Sequence, residues 1–478
     1  MSANHLKFYI NGSWVEPAVP RSHEVINPAT QEKIATISLG SAADVDKAAI
    51  AARAAFGSWS RTTPRERSEL FAAIIATYKQ RVDEIAQAVT AEMGAPAGFA
   101  QSFHAASQTG ILQQFIDILG SYEFEKLNGT TALVREPIGV CGLITPWNVP
   151  VGAIIGKLAP ALAAGCTVIV KPSEIAPLSP LILAQVLHDA GVPKGVFNLV
   201  NGDGAGVGQA ICAHAGVDMI SFTGSTRAGI AVAKAAADTV KRVQQELGGK
   251  SANIILPDAD IEKFVTAGLN RCYVGGGQSC QAPTRMLVPR AAQGVALAAA
   301  KAAAEAVVVG DPNDPKTTMG PVSNQAQWDK IQSLIKAGID AGATLVTGGL
   351  GRPNGLARGY YVKPTVFGDV APDSRIAQEE VFGPVLSIIP YRDEAEAIEI
   401  ANNTMYGLSG WVYSGTLAHA KQVALQMRTG RVYLNGALAD PYAPFGGYKY
   451  SGNGREGGVF GLEEYLEVKA LLGAAAAS

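Results

Sequence analysis

The chain has 478 residues, 48% of them apolar and 17% charged, a balance that supplies a large core and excludes an intrinsically disordered chain. Its 39 basic and 41 acidic residues give a net charge of −2, without blocks of like charge, which excludes the electrostatic footprint of a nucleic-acid binder or of a protein drawn to anionic membranes. Five cysteines are too few and too odd in number for a disulfide framework, so free thiols and a cytoplasmic location are expected.

A single core stops growing at roughly 250–300 residues, so two or three domains are expected. The opening MSANHLKFYINGSW lacks the apolar run of a signal peptide. Residues Ser41–Met93 read as helices, with Asp44 as the N-cap of an alanine-rich segment ending near Phe56 and Pro64 opening a second helix. Val134–Ile144 reads as one strand. Val151–Val170 is the most apolar window, but Lys157 and Pro160 make it a poor membrane span. Thr167–Val170 is a buried strand, followed by a helix from about Ser179, a strand at Val196–Val200 and another at Met219–Phe222, after which Gly224-Ser225 opens a helix. Alternating strand and helix predicts a parallel sheet with helical crossovers. The pattern recurs beyond residue 250: strands at Asn253–Leu256 and Arg285–Val288, a helix at Ala291–Ala306, then short strands at Val307–Val309, Thr344–Val346, Val385–Pro390 and Trp411–Val412. Leu119–Val134 and Tyr465–Leu472 fit neither half.

Cys280 follows the glycine run Gly275–Gly277. It is either a nucleophile with a mobile backbone around it or an inert surface thiol. Glu246, just before Gly248-Gly249, is either a general base or a solvated carboxylate at the end of an element. Asn148, fixed between Pro146 and Pro150, is either an oxyanion donor or an amide folded onto its own backbone. The run Gly202–Gly208 misses GxGxxG spacing because Val207 holds the last required position. The stretch Ser221–Thr226 can offer free helix-start N–H groups to a phosphate. Lys171 and Glu174, just past a strand end, suit ribose hydroxyls. The six histidines show no zinc-ligand spacing, no metal set appears, and there is no GxSxG.

Taken together, PWN at 146–148, KPSE at 171–174, FTGST at 222–226, ELGGKS at 246–251, GQSC at 277–280, EEVFGPV at 379–385 and PFGGYKYSGNGRE at 444–456 resemble the aldehyde dehydrogenase superfamily along almost the whole chain. The resemblance implies an α/β fold. A Rossmann-like cofactor domain (1–118 and 138–248) would join an α/β catalytic domain (249–450), and a small β oligomerisation element (119–137 and 465–478) would build a homodimer or homotetramer. It implies Cys280 as nucleophile, Glu246 as general base, Asn148 with the Cys280 N–H as oxyanion hole, and Lys157 and Glu456 as proton-relay residues. Lys171 and Glu174 would hold the adenosine ribose, and Gly224 and Ser225 would face the pyrophosphate. Trp147 and Leu247 would line the cofactor site, and Glu380 and Phe382 would take the nicotinamide ribose. The cofactor implied is NAD⁺, with NADP⁺ as the alternative. The reaction implied is oxidation of an aldehyde to a carboxylic acid through a cysteine thiohemiacetal and thioester. Relatives that pass the acyl group to coenzyme A generally lack the Glu246 equivalent, so hydrolysis is expected.

The departure from the usual pattern lies in the aldehyde tunnel. Positions that are bulky in several relatives are here Val149, Ala153, Gly156 and Val274, and Ala439 lies on a shortened loop. This predicts a wide apolar entrance for a bulky or long-chain aldehyde. The alternatives are a semialdehyde with a distal carboxylate, or a non-catalytic structural relative. No cysteine adjoins Cys280, so a neighbouring-thiol disulfide is excluded there.

Overall fold

The computed structural model describes residues 4–475. The end of the alanine-rich tail, and with it the last three residues of the expected oligomerisation segment 465–478, lie outside the described residues. The α/β expectation is met by two large, mostly parallel sheets.

In the first sheet the central parallel strands run, side by side, Arg242–Glu246, Met219–Thr223, Val140–Ile144, Thr167–Lys171 and Phe197–Leu199. Gly452–Asn453 extends one edge, and Phe8–Ile10 with Ser13–Val15 the other. The parallel part starts in the middle at Val140–Ile144 and works outward through helices Pro150–Ala164 and Leu178–Asp189. It then jumps back to Met219–Thr223 on the other flank. That reversal opens a crevice beyond the carboxyl ends of Val140–Ile144 and Met219–Thr223, where open α/β sheets bind ligands.

The most apolar stretch of the chain is a core helix and strand. Helix Pro150–Ala164 begins with proline, ends at Gly165 with φ 98°, and buries nearly every side chain, as a helix apolar all round must. Among the described residues no helix is long and apolar enough to cross a membrane.

The second sheet runs Thr344–Thr347, Thr365–Gly368, Val385–Tyr391, Arg285–Pro289, Ala252–Ile255, Ser409–Tyr413, Arg431–Leu434, parallel except at its first strand. Leu466–Leu471 pairs with Thr131–Pro137, which pairs with Glu125–Asn128, in a separate antiparallel sheet.

Three local expectations change. Ser41, not Asp44, is the N-cap of helix Ala42–Trp59; Asp44 sits at the third helical position, where its carboxylate accepts from the Ser41 N–H at 3.0 Å. The predicted Val134–Ile144 strand is two strands in different sheets, Thr131–Pro137 and Val140–Ile144. The break falls at Gly139, whose φ of 137° suits glycine. Val307–Val309 contributes only an isolated bridge, from Val309 to Met319. Glu246, expected at the end of an element, ends strand Arg242–Glu246.

Candidate active site

Gly275, Gly276 and Gly277 have φ of 61°, 68° and 72°, a left-handed path that glycine takes without steric cost. They turn the chain out of helix Ile261–Tyr273 towards Cys280. The Gln278 side chain pins the turn: its Oε1 accepts from the Ser323 N–H at 2.9 Å and its Nε2 donates to the Gly275 carbonyl at 2.9 Å. Cys280 is half-buried. A Cβ on Gly249 would collide with the Cys280 carbonyl, so the second glycine of ELGGKS is required by this close approach.

Asn148 comes from the other side, just past the end of strand Val140–Ile144. Its Nδ2 donates to the Gln278 carbonyl at 2.9 Å, so the amide points at the cysteine loop rather than at its own backbone. Asn148 and Cys280 line the same cavity.

Glu246 is 2% exposed, and neither carboxylate oxygen has a protein hydrogen-bond partner among the described residues. Burial first, and then the charge of Glu456, push its pKa well above the usual carboxylate range. The segment carrying the long C-terminal motif packs beside it: the Leu247 N–H donates to the Ser451 carbonyl at 3.0 Å and the Ser451 hydroxyl donates to the Gly248 carbonyl at 2.6 Å. Lys157, 1% exposed on helix Pro150–Ala164, stands 2.5 Å from Glu456 Oε1 and donates to Ser221 Oγ at 3.0 Å. The Cys280 thiol is held above the ordinary thiol range by burial first, then by the charges of Glu380, Glu246 and Glu456. These groups therefore share one electrostatic neighbourhood.

The cavity beside Cys280, of about 170 Å³, is lined by Trp147, Gly224, Ser225, Leu247, Glu380 and Phe382 among others. Ser225 caps helix Thr226–Ala237, accepting from the Ala228 N–H at 3.3 Å; free N–H groups and the helix dipole there favour a phosphate. Glu380 Oε1 accepts from the Gly249 N–H at 2.9 Å, and a Cβ on Gly248 would lie 2.6 Å from its other oxygen. Burial, the largest cause, raises the Glu380 pKa. Trp147 and Phe382 meet edge to face at 5.4 Å. On the next strand, Lys171 donates to the carbonyls of Gly202 at 2.6 Å and Pro172 at 2.9 Å, and stands 3.4 Å from Glu174 Oε2. Burial lowers its pKa. A glycine-lined cradle, a helix start and a carboxylate just past the end of strand Thr167–Lys171 fit an extended dinucleotide.

The expected tunnel residues are only partly assembled. Val149, Ala153 and Gly156, at helical spacing on one face, are half-buried, and a Cβ at Gly156 would meet nothing within 4 Å. Val274 instead lines a second, largely apolar cavity of about 330 Å³ with Phe99, Tyr273 and Met319. Ala439 is exposed.

Two cavity residues went unread in the sequence: Gln327 and Lys330, on helix Gln325–Asp340. Gln327 Nε2 donates to the carbonyls of Val381 at 3.0 Å and Phe382 at 2.8 Å, holding Phe382 at φ 58°. Their only sequence signal is polar residues three apart beside the buried Ile331, Leu334 and Ile335, which any amphipathic helix shows.

This arrangement defines an oxidoreductase-type α/β protein with a cysteine centre beside a dinucleotide crevice. The aldehyde dehydrogenase family model matches residues 14–471, and the chain belongs to that family. It is 54% identical over 471 residues to a 3-succinoylsemialdehyde-pyridine dehydrogenase from Pseudomonas sp, covering 98% of this chain and 99% of that one. Among solved structures, an aldehyde dehydrogenase C variant from Pseudomonas syringae, complexed with NAD⁺ and octanal, superposes with a TM-score of 0.99 at 52% identity, covering 100% of this chain and 99% of that one. A betaine aldehyde dehydrogenase from Staphylococcus aureus, also holding NAD⁺, superposes at TM-score 0.95 with 36% identity, covering 99% and 96%. The family read from the motifs is borne out, and the chain is an aldehyde dehydrogenase.

Proposed function

We propose that the protein oxidises a bulky or long-chain apolar aldehyde to the carboxylic acid with NAD⁺. The observation that carries this reading is the convergence at Cys280: an amide aimed at its loop from one side, and a buried carboxylate with no partner close enough to raise its pKa. The NAD⁺ complexes of the two solved relatives support the cofactor.

The residues act as follows. Cys280 Sγ gives its proton to a base and bonds to the aldehyde carbon, whose oxygen becomes an oxyanion. The Asn148 amide and the Cys280 N–H stabilise that oxyanion; loss of one such donor costs about 3–4 kcal/mol of barrier. NAD⁺, when bound, supplies the hydride acceptor that leaves the carbon as a thioester. Trp147, Gly224, Ser225, Leu247, Glu380 and Phe382 would hold its nicotinamide and phosphate end, and Lys171 and Glu174 its adenosine ribose. Glu246 then takes a proton from water, the hydroxide attacks the thioester carbon, and Cys280 leaves as the carboxylic acid forms. A carboxylate pushed well above its usual range is a better base than a free one. Lys157 and Glu456 carry the proton onward.

Several features support the larger substrate. Val149 and Ala153 are small, Gly156 faces open space, and the relatives are one bound to octanal and one named for a pyridine-bearing semialdehyde. The first sheet supports residues 1–118 and 138–248 as a cofactor domain, and the second supports 249–450 as a catalytic domain. Exposed Leu127, Val468 and Leu471 on the third sheet support its role in a homodimer or homotetramer. Five free thiols support a cytoplasmic location.

NADH absorbance across an aldehyde series, with Cys280→Ala as control, tests the reading. The expected outcome is kcat/KM rising from acetaldehyde to octanal and no turnover by the variant. A maximum at acetaldehyde overturns the substrate, and turnover by Cys280→Ala overturns the mechanism.

A further inference from the structure

Beyond the strand carrying Lys171 and Glu174, the next strand, Phe197–Leu199, runs into Gly202 and Asp203. Asp203 caps the turn Gly204–Gly208: its Oδ1 accepts from the Gly206 N–H. Its other oxygen, Oδ2, takes the Arg21 guanidinium at 2.9 Å. Arg21 lies against the same turn, 3.6 Å from where a Cβ on Gly206 would sit, and reaches the Gly40 carbonyl at 3.5 Å. Because Lys171 Nζ bonds the Gly202 carbonyl, the four charges stand in alternating order: Glu174, Lys171, Asp203, Arg21. No step of the mechanism above uses the last two.

In dinucleotide-binding sheets a carboxylate here favours the ribose 2′-hydroxyl, and a nearby arginine accommodates a 2′-phosphate. This chain places both kinds of group at one end of the crevice, but its arginine is already occupied. A guanidinium matches phosphate with paired N–H donors. It cannot offer them while one edge is bonded to Asp203, whose charge also repels a phosphate.

We propose that the Arg21–Asp203 pair enforces selectivity for NAD⁺ over NADP⁺: Asp203 is a positioning residue that holds away the guanidinium which would otherwise take the 2′-phosphate. The inference rests on the reading of Lys171 and Glu174 as the adenosine-ribose site.

Calorimetric Kd values for NAD⁺ and NADP⁺, with melting temperatures, test it on the intact protein. Asp203→Asn is the informative variant because asparagine keeps an acceptor for the Gly206 N–H while losing the charge. Removing a half-exposed ion pair alters stability little. Asp203→Asn should bind NADP⁺ about tenfold more tightly than the native protein, the scale of one charge-assisted contact, with NAD⁺ affinity unchanged. Adding Arg21→Ala should cancel that gain, and Asp203→Ser should reproduce it. If the NADP⁺ Kd stays fixed in Asp203→Asn while NAD⁺ still binds, this inference fails alone. If the gain survives Arg21→Ala, removal of charge rather than release of Arg21 explains it, and the inference also fails. If the native protein does not bind NAD⁺, the cofactor reading falls and takes this inference with it.

Discussion

Glu92 and Glu246 are both buried carboxylates, at 0% and 2% exposure, and burial is the first cause of a raised pKa in each. Their surroundings are opposite. Glu92, on helix Val82–Met93, reaches the start of helix Leu178–Asp189. There it accepts from the N–H groups of Leu178 at 2.5 Å and Ser179 at 3.0 Å, and from the Ser179 hydroxyl at 2.6 Å. It satisfies orphan donors of a buried helix end, which makes it a structural tie between two helices. Among the described residues Glu246 has no such protein donors. Leaving a buried polar group unpaired costs folding free energy that evolution rarely tolerates without a use. Burial alone therefore does not mark a catalytic carboxylate; burial without a protein partner, in the electrostatic neighbourhood of the Cys280 thiol, is what supports the role proposed for Glu246.

Exchanging each glutamate for glutamine tests that contrast. Glu246→Gln should have the largest effect, a kcat lower by roughly 10²–10⁴-fold, while mass spectrometry shows the acyl-enzyme accumulating on Cys280. A normal steady-state rate with no acyl-enzyme would show that its isolation is incidental. Glu92→Gln should leave kcat/KM unchanged and alter stability with pH instead. The Glu92 pKa is raised from 4.5 to about 7, so the folded state binds the proton more tightly than the unfolded one. The associated stability is full below about pH 4.5 and is lost as pH rises through about 7. Over that window the native protein should lose about 3 kcal/mol relative to Glu92→Gln, read from denaturation midpoints at the two ends. A constant difference would mean that the three donors keep Glu92 ionised throughout.

Part of the fold and of the site could be read from the sequence, but not this contrast, and the reasons differ by residue. Strand Thr167–Lys171 was legible because burial on both faces demands an unbroken apolar run. The Cys280 turn was legible because three consecutive glycines have few other uses. The strand Arg242–Glu246 was not legible: RVQQE is polar, and its burial comes from neighbours distant in sequence. Glu92 was invisible for the same reason, since its donors lie 86 and 87 positions away. The boundary between Thr131–Pro137 and Val140–Ile144 was hidden because both halves are good strand formers and only Ile138 and Gly139 separate them. The tunnel residues divided where the argument left local geometry: Val149, Ala153 and Gly156 share a helix face by spacing alone, whereas the surroundings of Val274 and Ala439 depend on tertiary packing.

The smallest effect concerns the Cys280 thiol itself and shows whether Glu246 acts on it before any substrate arrives. Burial is the first cause of the raised thiol pKa, and Glu380, Glu246 and Glu456 follow in that order. The thiolate is the reactive form, so alkylation by iodoacetamide without cofactor should still be accelerating at pH values where a free cysteine, with a pKa near 8.5, is fully ionised. Glu380→Gln removes the largest of the three charge contributions and should move the limb towards neutral pH; Glu246→Gln should move it less. Glu92→Gln should leave it in place, because Glu92 is not among the groups acting on the thiol. Peptide mass spectrometry of Cys280 separates its alkylation from that of Cys141, Cys166, Cys212 and Cys272, which are all buried. A limb at the ordinary thiol pKa, indifferent to both active-site substitutions, would mean that the carboxylates are screened from the sulfur. The isolation of Glu246 would then matter only at the hydrolytic step.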